Sequence, residues 1–147
     1  MTYSGLKHLH SFLPYILLTV LLFILVRSVI AYFGKHTHTE GHRKNGLILL
    51  ILAHIQFLIG GIIYFLRTKR AGALDDISLA MKNPDRFYTI EHPLTMTIAV
   101  ILITMAYSKS KKDISSHQKH KIKSIYFGLA LVMILSRLPK SWPAWWL

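Results

Sequence analysis

The nine histidines are the residues of this sequence that could do the most chemistry, because an imidazole can ligate a metal ion or transfer a proton near neutral pH. They fall into two groups. Five lie in polar stretches (His36, His38, His42, His117 and His120), and four lie within or beside apolar stretches (His8, His10, His54 and His92). No cysteine accompanies them, which excludes disulfides, iron–sulfur clusters and thiolate metal sites in this chain.

Long apolar segments must position these histidines. Hydrophobic residues make up 52% of the 147 residues, the mean hydropathy is +0.40, and the apolar residues occur in blocks. Roughly 20 residues of helix cross the hydrocarbon core of a bilayer. We therefore predict an all-α integral membrane protein with one domain over residues 1–147 and an up-down bundle of four helices. The predicted spans are about 12–33, 46–66, 88–107 and 122–138, with a short interfacial helix, beginning at Asp75 or Asp76, between helices 2 and 3.

The basic residues lie at the ends of the apolar segments. The formal net charge is +12, and the cations cluster in the connections, where they meet anionic lipid headgroups. This placement predicts contact with the lipid bilayer and no nucleic-acid partner. We call the end of the bundle with both termini end A, and the end with connections 34–45 and 108–121 end B. The cation counts at the two ends are close, with a lean toward end B facing the cytoplasm of a bacterial inner membrane.

Two histidines are predicted to face each other inside the bundle. In an up-down bundle His10 and His92 both lie near end A, on the first and third helices, which run parallel and occupy one diagonal. Two imidazoles meeting across a bundle are the ligands that a b-type haem needs. The sequence therefore predicts bis-histidine haem ligation, with His10 and His92 as the preferred pair.

Other residues compete for this site or could line it. His54 lies deep in the second span and could replace either ligand, because an ionisable group in a membrane has a function by default. Gly61 is on nearly the same face as His54, and Met96 is on the His92 face, so both could line a haem pocket; the glycines could equally serve close helix packing. Glu91 could orient an imidazole, or pair at the interface with a cation such as Arg86.

The polar histidines have two interpretations. They could be solvated or face lipid headgroups, or the stretch HTHTEGH could hold a metal ion with Glu40 as an oxygen ligand. The spacing matches no strong metal motif. Phosphate-binding loops, nucleophile elbows and zinc-protease motifs are likewise missing from the sequence.

The segments LKHLHS (6–11), AHIQFLIGG (53–61), EHPLTM (91–96) and SKSKKD (108–113) resemble a group of small bacterial four-span membrane proteins labelled cytochrome b-like. The resemblance covers most of the chain. It implies haem b held by histidines and a part in electron transfer. The ligands that it implies are His10, His54 and His92.

The leading hypothesis is a haem-b membrane protein that exchanges single electrons with a quinone or with a partner membrane subunit. Whether the protein is an enzyme stays open. One alternative is a cofactor-free structural or accessory subunit of a larger membrane complex. Another is a membrane protein that binds a transition metal through the same histidines.

Overall fold

The computed structural model describes residues 2–70, 72, 76–82 and 86–139, and these form helices and short connections. The helices are α1 (Tyr3–Phe33), α2 (Glu40–Arg70), α3 (Ile77–Ala80), α4 (His92–Ser110) and α5 (Ser116–Ser136), and a π-helical turn, Phe87–Glu91, leads directly into α4. The predicted all-α fold class is confirmed for the described residues.

The four long helices form a bundle in which each has two main neighbours. Helix α1 packs against α2 and α5, and α4 packs against the same two helices. Helices α1 and α4 therefore occupy one diagonal, as the up-down order predicts. Each helix contributes one large side chain that is at most 1% exposed to a shared apolar core: Leu21, Leu49, Ile103 and Phe127.

The outer surface of the bundle is apolar. Large hydrophobic side chains are more than half exposed on every long helix, for example Phe23, Leu58, Leu94 and Val132. Exposed apolar area of this extent is typical of a surface that lipid covers. Helices α1 and α2, and the continuous segment Phe87–Ser110, are long and apolar enough to cross a membrane.

The fourth predicted span is different. Helix α5 has an apolar outer face at Ile125, Leu129, Val132 and Leu135, but Lys119, Lys121 and Lys123 interrupt its first half. Among the described residues, three helices are long and apolar enough to cross a membrane, whereas the sequence predicted four spans.

Helix ends differ from the predicted spans because a span estimate counts only apolar residues. Helix α1 begins at Tyr3, where the Thr2 hydroxyl accepts a hydrogen bond from the Gly5 amide and caps the first turn. The short helix predicted between helices 2 and 3 is present as a single turn, α3, capped by Asp76.

Candidate functional site

A cavity of about 790 Å³ occupies the half of the bundle at end A, where α1 begins and α2 and α5 end. Its walls change in character along the helix axes. The floor is apolar, with Leu17, Ala53, Ala99 and Ile103; the middle carries His10, Gln56 and His92; the rim carries Tyr3, Lys7, Arg67 and Tyr88. Apolar walls with a few convergent polar groups are the usual lining of a small-molecule site.

His10 projects from α1 against α2 at a glycine. A Cβ on Gly60 would lie 2.8 Å from Cε1 of His10, so the missing side chain is what lets the imidazole approach this helix. Gln56, one turn earlier on α2, donates from Nε2 to the backbone carbonyl of His10 at 2.7 Å. Within the described residues the buried Nδ1 of His10 has no hydrogen-bond partner. The backbone is held, and a ring nitrogen remains to be satisfied.

His92 is the first residue of α4 and is held from a different helix. Its Nδ1 lies 2.8 Å from the backbone carbonyl oxygen of Arg137, at the end of α5. A carbonyl can only accept, so Nδ1 carries the hydrogen and Nε2 keeps its lone pair. Metal-bound histidines are oriented in this manner, by a bond from the nitrogen that does not bind the metal.

The two imidazoles face each other across the diagonal of the bundle. Their ring centroids are 6.5 Å apart and their planes meet at 82°. The structure thus brings together the two histidines that the sequence paired. A π-helical turn immediately precedes His92, and such turns are frequent at functional sites because the extra residue changes which side chains face a neighbour.

Glu91 pairs with cations at the interface. One carboxylate oxygen lies 3.2 Å from Nε of Arg86, and the other lies 3.8 Å from Nε of Arg137. The interface pairing with Arg86, one of the two predicted roles, is the one observed. Through Arg137 the carboxylate also lies beside the residue whose carbonyl holds His92.

The other predicted site residues separate into two sets. Gly61 and Met96 line the cavity. His54 does not; it lies on the exposed face of α2, and its Nδ1 bonds the carbonyl of Leu50 in its own helix at 2.8 Å. The structure therefore places His54 outside the cavity that His10 and His92 line.

No metal-ion site of three ligands is present in the described part of the chain, because no three histidine, aspartate or glutamate side chains are suitably placed. The hypothesis of a transition metal bound by His10, His54 and His92 together has no support, since the third residue is elsewhere.

A second histidine cluster lies at end B. The ring centroids of His38, His42 and His120 are 4.9–5.4 Å apart. Next to them Lys123 is 1% exposed, and its Nζ donates to the backbone carbonyl of His42 at 2.6 Å. We call these four residues the end-B cluster. The predicted oxygen ligand Glu40 is not part of it, since its carboxylate pairs with Arg43.

The end-B cluster disfavours additional positive charge. Burial and the nearby Lys123 ammonium lower the pKa of His38 to about 4. Burial also lowers the pKa of His120, which is fully buried, although the carbonyls of His36 and Thr37 lie near enough to favour a proton on it. The histidines of the cluster are therefore held in their neutral form beside the Lys123 ammonium.

The spacing of residues along α5 is a sequence signal for this cluster. His120 and Lys123 continue the three- and four-residue spacing of the buried face of α5, which runs on through Phe127, Ala130 and Ile134. That spacing predicts that both polar residues point into the bundle rather than into headgroups.

Comparison with protein-family models, with curated proteins and with solved structures finds no match to this chain. The resemblance to cytochrome b-like membrane proteins therefore stays a prediction.

Proposed function

We propose that this protein binds one haem b in the end-A cavity, where His10 and His92 would hold it, and carries single electrons within a membrane. The observation that supports this most is the placement of the two imidazoles on opposite helices of one diagonal, 6.5 Å apart, in a cavity of about 790 Å³.

The separation of the rings fits coordination to one metal. A metal–imidazole bond is about 2 Å, and the ring centre lies about 1 Å beyond the nitrogen, so two axial imidazoles have centroids about 6 Å apart. The 82° angle between the ring planes is compatible with this, because each plane contains its own metal–nitrogen bond and can have any rotation about it. The cavity volume lies within the range of sites for ligands of this size.

The chain's own residues have defined tasks in this proposal. The Arg137 carbonyl fixes the tautomer of His92, and the close approach at Gly60 fixes the position of His10. The apolar floor keeps water away from the ligand, and this exclusion of water affects the ligand's redox potential. When bound, the haem supplies one-electron redox chemistry; the protein supplies position and surroundings.

The membrane topology is part of the same proposal. We infer that α5 also crosses the bilayer, because its outer face is apolar and its most buried cation, Lys123, points into the bundle rather than toward lipid. This gives four spans with both ends of the described chain on one side. A quinone or a partner membrane subunit as the electron partner, and the bacterial inner membrane as the location, stay predictions from the sequence.

An optical spectrum tests the haem. Protein expressed with adequate haem and purified in detergent is expected to show a Soret band, with sharp α and β bands after dithionite reduction. His10→Gly and His92→Gly should lose these bands and regain them in part with added imidazole, which can enter the vacated space. His54→Gly is the matched control and should keep the spectrum of the unaltered protein, because His54 lies outside the cavity.

A different result would point to the cofactor-free subunit. A featureless spectrum of folded protein after haem titration, together with unaltered helix content in the His10→Gly and His92→Gly variants, would overturn the haem proposal. Bands that survive both substitutions but disappear in His54→Gly would refute the ligand assignment alone.

Labelling with a membrane-impermeant maleimide tests the fourth span. The chain has no cysteine, so Lys112→Cys and Arg137→Cys each introduce a single thiol at an exposed position, the first before α5 and the second directly after it. In sealed vesicles only one of the two is expected to react. Equal reaction of both would show that α5 does not cross.

A further inference from the structure

The end-A cavity reaches the outer surface of the bundle through its side wall. Three residues that line the cavity are also exposed on that surface: Phe57 and Gly61 on α2, and Leu94 on α4. The exposed fraction is 39% for Phe57 and 60% for Leu94. These residues therefore border the cavity on one side and the surroundings of the bundle on the other.

The exposed lining residues lie at one depth between neighbouring helices. The two on α2 are four residues apart and share a face, and α4 packs against α2. The His10 ring lies against α2 at Gly60, and its centroid is 6.5 Å from that of His92. Leu94 follows two residues after His92. The first turn of α4 is therefore level with the Gly60 turn of α2, and the side wall here lies between these two helices.

The outer side of the same wall is an apolar groove on α2. Its lining residues are Phe57, Leu58, Gly61, Ile62, Phe65 and Leu66. Phe57 and Gly61 thus border both the groove and the cavity. A Cβ on Gly61 would meet nothing within 4 Å, so the space beside its backbone is open. The wall between the lipid-facing groove and the cavity therefore contains a position that no side chain fills.

We propose that the ligand of the end-A cavity enters it sideways, from the lipid phase, between α2 and α4 at Phe57, Gly61 and Leu94. The groove and these three residues offer no polar side chain, so a hydrated ion would lose its water there without a replacement partner. An apolar or amphiphilic molecule dissolved in the bilayer has no such penalty. The inference rests on the proposed function, in which the bundle lies in a membrane and the ligand is haem, a flat and largely apolar molecule.

A removable plug at Gly61 tests this route. The chain has no cysteine, so Gly61→Cys introduces one thiol at an exposed position of the groove. Benzyl methanethiosulfonate attaches an aromatic ring to this thiol through a disulfide, and a reductant that is washed out before the assay removes it again. The matched control is Ile51→Cys with the same modification, because Ile51 is 49% exposed on α2 and lines neither the groove nor the cavity.

The measurement is the rate of haem exchange with protein in nanodiscs. Growth of the Soret band follows uptake from phosphatidylcholine vesicles that carry haem, and transfer to apomyoglobin follows release. The plug is expected to slow uptake and release alike, by about tenfold, because a blocked route changes both rates and leaves their ratio unchanged. The affinity should therefore change by less than about threefold. Removal of the plug should restore both rates, and modified Ile51→Cys should match the unmodified protein.

The sideways route and the haem proposal fail in different ways. Haem that binds the plugged protein at unchanged rates would overturn the route and leave the haem proposal intact. A plug that slows uptake alone, and so weakens the affinity by the same factor, would also overturn the route, because Gly61 would then lie in the space that bound haem occupies. An unaltered protein that binds no haem would overturn both proposals.

Discussion

Replacement of His38 by glutamine is expected to make the protein less sensitive to acid. In the folded protein the pKa of His38 is lowered to about 4 by burial and by the Lys123 ammonium. In the unfolded chain the imidazole takes up a proton as the pH falls through its ordinary value of 6.5. Between these two pH values the unfolded state binds the proton and the folded state does not, so stability falls as the pH is lowered across this window.

The size of the effect follows from the shift and the exposure of the ring. A fully effective shift of this size would correspond to about 3 kcal/mol of unfolding free energy. His38 is only partly buried, and solvent screens its interaction with Lys123, so we expect roughly 1–2 kcal/mol. For a chain of this length that is a difference of roughly 3–6 °C in the midpoint of thermal unfolding.

The assay is thermal unfolding in detergent, followed by circular dichroism between pH 7.5 and pH 4.5. The His38→Gln variant should lose less of its unfolding temperature over this range than the unaltered protein. His54→Gln, on the exposed face of α2, is the control and should follow the unaltered protein. Equal acid sensitivity of His38→Gln and the unaltered protein would show that the end-B cluster does not oppose protonation of His38, and would refute the electrostatic reasoning.

Two further substitution pairs separate close alternatives. Gly60→Ala should weaken haem binding because the new Cβ would lie 2.8 Å from the His10 ring. Gly128→Ala, which lies outside the cavity and would meet only Cδ1 of Leu25 at 3.9 Å, should leave the optical titration unchanged. Equal affinities of the two variants would show that the contact at Gly60 does not limit binding. Phe127→Ala should lower the unfolding free energy by about 3–5 kcal/mol, because the ring is fully buried in the core. Lys123→Met should lower the unfolding free energy by less than about 1 kcal/mol or raise it, since the substitution removes a buried ammonium. If thermal unfolding shows a loss as large as that of Phe127→Ala, Lys123 holds end B together.

The pairing of His10 with His92 could be predicted from the sequence because it depends only on helix order and depth. The position of His54 could not. Helix α2 is apolar all round, so hydropathy does not tell which face is buried. The buried face includes Gly46, Leu49 and Ala53, of which the two small residues allow close packing. His54 follows Ala53 and therefore points about 100° away from it.

The end-B cluster could be predicted only in part. Spacing along α5 places His120 and Lys123 on the buried face. The contact with His38 depends on the connection 34–39, whose path includes a left-handed backbone conformation at Lys35, a residue that gives no sign of it. The π-helical turn before His92 is equally invisible to a pattern that assumes a constant number of residues per turn.

The diagonal arrangement divides the site between the two halves of the chain, and this has a consequence for biosynthesis. The first hairpin, α1–α2, carries His10 with the glutamine and glycine of α2 that position it. The second hairpin, α4–α5, carries His92 with the carbonyl that orients it. As residues leave the ribosome in order, His10 enters the membrane long before His92 and its partner on α5 are made. A ligand held by both imidazoles can therefore bind only after the second hairpin has docked on the first. Binding of such a ligand is then a late step of assembly, and it indicates that both hairpins have inserted.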